Sequence, residues 1–342
     1  MTRQPTKGLN KTINSQSGIA LLMVLWVITL LMVLVMSFSL LTRTEANSTA
    51  FFRDGVQKKF FAEAAQDRAV MEISHRQIFR NQTVVLEGNE VVRIDGRNYN
   101  GSIGTGSYAF RLFSESGKIN LNMMGARSGM STRYGMGSSS EVILNNLLVN
   151  LGIAKETADT IVDSILDWID TDDLHRLNGA ESDYYESLPN PYKAKNGPLD
   201  TLEELLLIKG MSPDILFGTK ERKGLINFVT IYSSTMRINI NSAPKEVLMA
   251  LPGISEDTVN RIIGQRESVE FKSVQDIQAM SGADYPAIRP FLDISESNIY
   301  TIESVGFQRE EKKGYGIRAI VSIESGGTPR FIYYKSPAEI RE

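Results

Sequence analysis

Seven carboxylates fall within 21 residues: Asp163, Asp167, Asp170, Asp172, Asp173, Glu181 and Asp183, with Arg176 the only lysine or arginine among them. Charge of one sign at that density repels itself. The first members stand at the end of an expected helix around Trp168 and Ile169, where anions also oppose the macrodipole. A divalent cation would reverse the sign of the problem. Asp170, Asp172 and Glu181 match positions one, three and twelve of a calcium loop, but Leu174 and His175 stand where that loop wants an oxygen ligand and a glycine, so this is not an EF-hand. An all-oxygen set favours calcium over zinc for any bound ion. The alternative is a solvated acidic turn, since clustered acids commonly face water.

Other chemistry is thin. The chain has no cysteine, which removes disulfides, thiolate nucleophiles and cysteine zinc sites. Its two histidines, His75 and His175, are too far apart in sequence to suggest a histidine-rich site. Gly101 to Gly106 lacks the lysine and following helix of a phosphate-binding loop. A paired-carboxylate hydrolase would need acids flanking a cleft, and here they crowd one short stretch. The expectation is therefore a protein that is not an enzyme. The net charge is -3, and Arg3, Lys7 and Lys11 precede the first apolar run, so the remainder nets -6. That balance opposes a general polyanion binder.

The acidic stretch sits inside a helical segment, about 125–292, that carries a degenerate repeat at about 141–217 and 237–292. Gly152, Ile153, Thr157 and Ala158 match Gly253, Ile254, Thr258 and Val259 at an offset of 101; Leu202, Leu205, Ile208 and Gly210 match Val274, Ile277, Met280 and Gly282 at an offset of 72. The first copy thus carries 29 extra residues, around Asp170 to Pro198, which contain the acids. The second copy, from Asn241 to Val259, resembles a helix-hairpin-helix. Such motifs often hold DNA phosphates, but Arg237 to Asp293 nets -2, so a packing role is expected and no nucleic acid.

Flanking this segment are strand-like runs at Thr83–Leu86, Glu90–Ile94 and Tyr108–Phe113, continued by Ser114–Asn122, and later at Tyr300–Phe307, Gly316–Ile323 and Arg330–Tyr334. Gly125 to Ser140, rich in glycine and serine, reads as a flexible boundary. Before the strands, Ile19 to Leu41 runs without a charge, the length that spans a bilayer. Phe52, Val56, Phe60, Ala64, Met71 and Ile78 then lay an apolar stripe on a helix continuing to about Arg80, which a sheet is expected to cover. The fold class expected is α+β: a long N-terminal helix on an antiparallel sheet, with an inserted all-α domain.

Gly18 followed by Ile19-Ala-Leu-Leu22, after a short basic leader, resembles the signal of type IV pilins and pseudopilins, cut after the glycine by a prepilin peptidase. Most such subunits carry a glutamate five residues into the mature chain; here that position is Met23, a departure typical of the large K subunit of type II secretion. Asp167-Trp-Ile-Asp-Thr-Asp-Asp173, Gly179-Ala-Glu-Ser-Asp-Tyr-Tyr185, Pro198-Leu with Glu203-Glu-Leu, and Asn239-Ile-Asn-Ser-Ala-Pro244 are similar to hallmarks of the general secretion pathway protein K family over nearly the whole chain. The resemblance implies a leader at 1–18, a transmembrane helix at 19–41, a pseudopilin domain from 42–124 and 293–342, and a helical domain inserted at 125–292. It implies a minor pseudopilin anchored in the bacterial inner membrane with its large region in the periplasm, methylated after cleavage, meeting I- and J-type subunits in a complex at the pseudopilus tip. It also implies calcium at the acidic loop, with Asp167, Asp170, Asp172, Asp173 and Glu181 as candidate ligands. The competing expectation is a membrane-tethered DNA receptor of the competence type.

Overall fold

The computed structural model describes residues 16–79, 91–125, 137–233, 235–308, 313–324 and 328–340. The chain divides into two units, Met1–Gln57 and Lys58–Glu342. Helix α1 spans Gln16–Phe79. Within its uncharged run Thr29 donates its hydroxyl to the Trp26 carbonyl at 2.8 Å, the local satisfaction an apolar medium demands. Among the described residues this is the one helix long and apolar enough to cross a membrane. The leader up to residue 15 lies outside the described residues. Gly18 and Ile19 both fall within α1, so the helix starts ahead of the bond expected to be cut; one glycine costs a helix only about 1 kcal/mol.

In Lys58–Glu342 five antiparallel strands, β1 (Asp95–Ile103), β2 (Gly106–Ser114), β7 (Ile299–Gln308), β8 (Tyr315–Ile323) and β9 (Pro329–Lys335), form one sheet in the order β1-β2-β7-β8-β9. The expected strand at Thr83–Leu86 lies outside the described residues, and residues 91–94 are not a strand; Val92 and Ile94 are instead buried plugs in the core between α1 and the sheet.

The helix meets the sheet on a different face from the one its large apolar residues suggest. Phe60, Met71 and Ile78 are 63–68% exposed, while Ala62, Ala65, Ala69 and Ile73 are fully buried. Small side chains win because the backbones come together: a Cβ on Gly306 would overlap the Lys58 carbonyl and the Ala62 amide, and one on Gly106 would overlap the Phe61 ring. Close approach removes both surfaces from water over a long line, at about 25 cal/mol per Å².

Ser114 pairs with Tyr300, so the chain leaves the sheet at the end of β2 and returns on the neighbouring strand β7. Residues 119 onward do not continue the sheet as expected. Strand β3 (Ile119–Asn120) pairs in parallel with β4 (Val229–Thr230), and β5 (Ile238–Asn239) pairs likewise with β6 (Leu292–Asp293). Each two-stranded ladder encloses one helical repeat. The first holds α2 (Asn122–Gly125), α3 (Gly137–Asn150), α4 (Lys155–Ile169), α5 (Ser182–Glu186) and α6 (Pro213–Leu216); the second opens with α7 (Lys245–Met249) and α8 (Glu256–Ser268). Helix α3 already covers Gly137 to Ser140, where a flexible boundary was expected.

The repeats agree in detail. Gly152 (φ +83°) and Gly253 (φ +74°) make the turns before α4 and α8, a region of backbone space open to glycine. Glu204 accepts from the Asp200 and Thr201 amides, and Asp276, 72 residues on, accepts from those of Lys272 and Ser273, capping equivalent 3-10 turns. Asn122 exchanges two hydrogen bonds with the Leu199 backbone (2.8 and 2.9 Å); Asn241 does the same with Phe271 at the same distances.

A buried ion cluster ties the second repeat to α1. Arg76, 1% exposed, donates to Glu296 (3.1 Å), to Glu270 (2.9 Å) and to the Val92 carbonyl (2.8 Å). Burial works against its charge, but hydrogen bonds and charges from Glu296 and Glu270 outweigh that and raise its pKa.

Candidate functional site

Helix α4 places Asp163 and Asp167 one turn apart, with Asp170 at its C-cap. The chain then loops back over that face and each aspartate takes a share of it. Asp163 accepts from the amide and side chain of Asn178, both at 3.0 Å. Asp167, wholly buried, accepts from the Arg176 amide (3.2 Å) and from its guanidinium (2.7 Å), which also reaches Asp170 at 2.6 Å. Gly179 has to be glycine, because a Cβ there would overlap Asp167 Oδ2. Lys209, just before Gly210, donates to the Gly179 carbonyl at 2.9 Å and so fixes the return from the second half of the repeat. Beneath the loop Trp168 packs edge-on against Tyr185, with ring centroids 5.2 Å apart, and Tyr192 stacks on Tyr185.

The loop gathers oxygens of Asp170, Asp172 and Glu181 within 4.8 Å of one another. At an effective dielectric of 20 each such pair of charges repels by about 3 kcal/mol. Neither Glu181 oxygen has a hydrogen-bond partner, nor has Asp170 Oδ1, although Glu181 is 2% exposed and Asp170 8%. Burial, then the charges of Asp167, Asp170, Asp173 and Asp172, push the Glu181 carboxyl up to about 7. Burial likewise raises Asp170, against the opposing pull of Arg176. Buried acceptors without donors fit a hard cation: two oxygens on opposite sides of an ion with bonds of about 2.4 Å stand about 4.8 Å apart.

Of the five candidate ligands, three are thus brought together. Asp167 is engaged by Arg176, and Asp173 Oδ1 accepts from Asn196 at 3.0 Å. Arg176, Gly179, Lys209 and Asn196 were not singled out as parts of the site by the sequence reading, apart from Arg176 as the nearby cation. The 29-residue length difference between the repeats was the signal that could have drawn in Asn196, since it lies at the far end of that extension.

At the second hairpin, Asp284 accepts from the Ser255 amide (3.0 Å), the Ser255 hydroxyl and the Thr258 hydroxyl (2.7 Å each) at the start of α8. Those hydrogen bonds hold its carboxyl below the usual range. A carboxylate therefore already occupies donors that a phosphate would need.

Family models described as "Type II secretion system (T2SS), protein K" match residues 117–220 and 238–294, in close register with the two repeats. The chain is 26% identical to the type II secretion system protein K of Klebsiella pneumoniae, over 85% of this chain and 88% of that one. It is 22% identical to the putative type II secretion system protein K of Escherichia coli K12, over 88% and 92%. Its fold resembles a chain of the GspK-GspI-GspJ complex from the enterotoxigenic Escherichia coli type 2 secretion system, with a TM-score of 0.60, 18% identity, and coverage of 86% of this chain and 100% of that one. With both repeats matched and relatives aligned nearly end to end, the chain belongs to the protein K family of type II secretion systems, as a minor pseudopilin.

Proposed function

We propose that this minor pseudopilin occupies the tip of the pseudopilus, initiating or capping its assembly for protein export across the outer membrane, with I- and J-type subunits as neighbours. The observation that carries this is where the insert leaves the sheet. Along Lys58–Phe79, the Gly306 end of β7 lies against Lys58 and Ala62, whereas the segment returning to Tyr300 reaches Arg76 through Glu296. The insert therefore stands at the end farther along α1, and a subunit added there would meet it. Met23 supports the same reading, because it offers no carboxylate to a neighbour's amino terminus inside an apolar bundle. The exposed Phe60, Met71 and Ile78 suit pairing with other helices, and the composition of the relative's complex supports I- and J-type partners.

In this account a prepilin peptidase cuts between Gly18 and Ile19, the new amino terminus is methylated, and α1 holds the protein in the inner membrane with its large region in the periplasm. Asp170, Asp172 and Glu181 hold calcium, whose charge offsets theirs; Asp167 and Asp173 shape the loop, through Arg176 and Asn196 respectively. The test of capping replaces residues 115–299 by Asn-Gly, since Ser114 and Tyr300 are paired and a two-residue turn can join them. Arg76→Met is added because Arg76 would lose Glu270 and Glu296. With the major subunit overproduced, fibres should lengthen; unchanged fibres, with the variant folded and co-purifying with its partners, would overturn capping.

A further inference from the structure

We infer that the Asn196 side chain supplies a neutral oxygen to the cation site, an inference that rests on the calcium reading above. Among the described residues Asn196 is the one non-glycine with a positive φ, +47°. Asparagine enters this left-handed region more readily than other L-residues but still with some strain, and glycine without it. The strain persists where surroundings over-determine it. Here Asn196 Nδ2 donates to Asp173 Oδ1 at 3.0 Å and to the Asp172 carbonyl at 3.4 Å, while the next residue, Gly197, donates its amide to the Trp168 carbonyl at 3.3 Å. Both ends of the extension are thereby tied together beside the acids.

This arrangement leaves Asn196 Oδ1 buried without a partner. It shares that condition with Asp170 Oδ1 and both oxygens of Glu181, and Asn196 lines the same cavity as Glu181 and Asp173. A buried acceptor left unmet carries the full penalty of its lost hydration. The unmet carboxylate and amide oxygens at this loop are thus all acceptors, and a hard cation answers the four of them at once. A fourth carboxylate would add repulsion from each neighbour, whereas an amide oxygen adds a ligand without charge, as calcium sites commonly use.

The test is calcium titration by calorimetry of the full-length chain in detergent, at pH 8, with Asn196→Gly and Asn196→Asp beside the wild type. Asn196→Gly should lose about 10- to 100-fold in calcium affinity, while its melting midpoint in chelator is unchanged or higher because glycine accepts the backbone conformation. Asn196→Asp keeps an oxygen in place and should bind more tightly than the glycine variant. Wild-type affinity in Asn196→Gly, or equal losses in both variants, would overturn the inference while leaving the calcium reading standing. Absence of calcium binding by the wild type would remove both.

Discussion

Replacing Glu181 by glutamine should stabilise the cation-free protein at alkaline pH. The Glu181 carboxyl is buried, has no hydrogen-bond donor and is pushed up to about 7, from an ordinary 4.5. A folded value above the unfolded one means that the folded chain holds more protons between pH 4.5 and 7. Stability therefore falls as pH rises through that window. The gap amounts to about 3 kcal/mol, fully expressed above pH 7. Glutamine keeps the shape without the charge. In chelator Glu181→Gln should thus exceed the wild type by about 2–3 kcal/mol at pH 8 and equal it at pH 4. Calcium inverts the order, because the wild type gains binding energy that the variant largely forgoes. Urea unfolding of the chain without its apolar span is a suitable assay, since both apolar clusters lie within Lys58–Glu342, and Trp168 against Tyr185 gives a fluorescent report. A variant less stable than the wild type at pH 8 in chelator, or a wild type whose stability is flat from pH 5 to 8, refutes the reasoning.

Arg76→Met should cost about 3–5 kcal/mol, because it leaves Glu296 buried without its cation, and adding Glu296→Leu should recover at least about 2 kcal/mol; a double-mutant cycle without coupling contradicts this. Gly306→Val should cost at least about 2 kcal/mol in urea unfolding, since the added carbons meet helix backbone rather than a movable side chain. A loss below about 0.5 kcal/mol would mean that α1 lifts off freely. In gel shifts the region beyond the span should show no salt-sensitive DNA affinity, and appreciable binding would restore the DNA-receptor reading.

The repeat was legible because turns are written locally: Gly152, Gly253, Gly210 and Gly282 act within a few residues of themselves. The strands β7, β8 and β9 were equally plain from their β-branched and aromatic runs. The helix face was not, because Phe60, Met71 and Ile78 look like core by hydrophobicity alone, and only the closeness allowed by Gly106 and Gly306 makes Ala62, Ala65 and Ala69 the better fit. Asn122 and Asn241 were passed over because their backbone partners lie 77 and 30 residues away. Arg76 was passed over for the same reason, its acids being 194 and 220 residues distant. At the acidic loop composition announced a charge problem and the longer first repeat marked the segment, but which oxygens stay unpaired depends on contacts of Arg176 and Asn196 that only the folded loop fixes.

The line of Phe60, Met71 and Ile78 has a geometric consequence of its own. Eleven residues cover three turns and seven cover two, so the pattern returns after eighteen residues and five turns, which is the natural pitch of an unwound α-helix. A left-handed coiled coil would instead ask for sevens throughout. A neighbouring helix laid along this seam could keep to a straight course, without first being wound around α1.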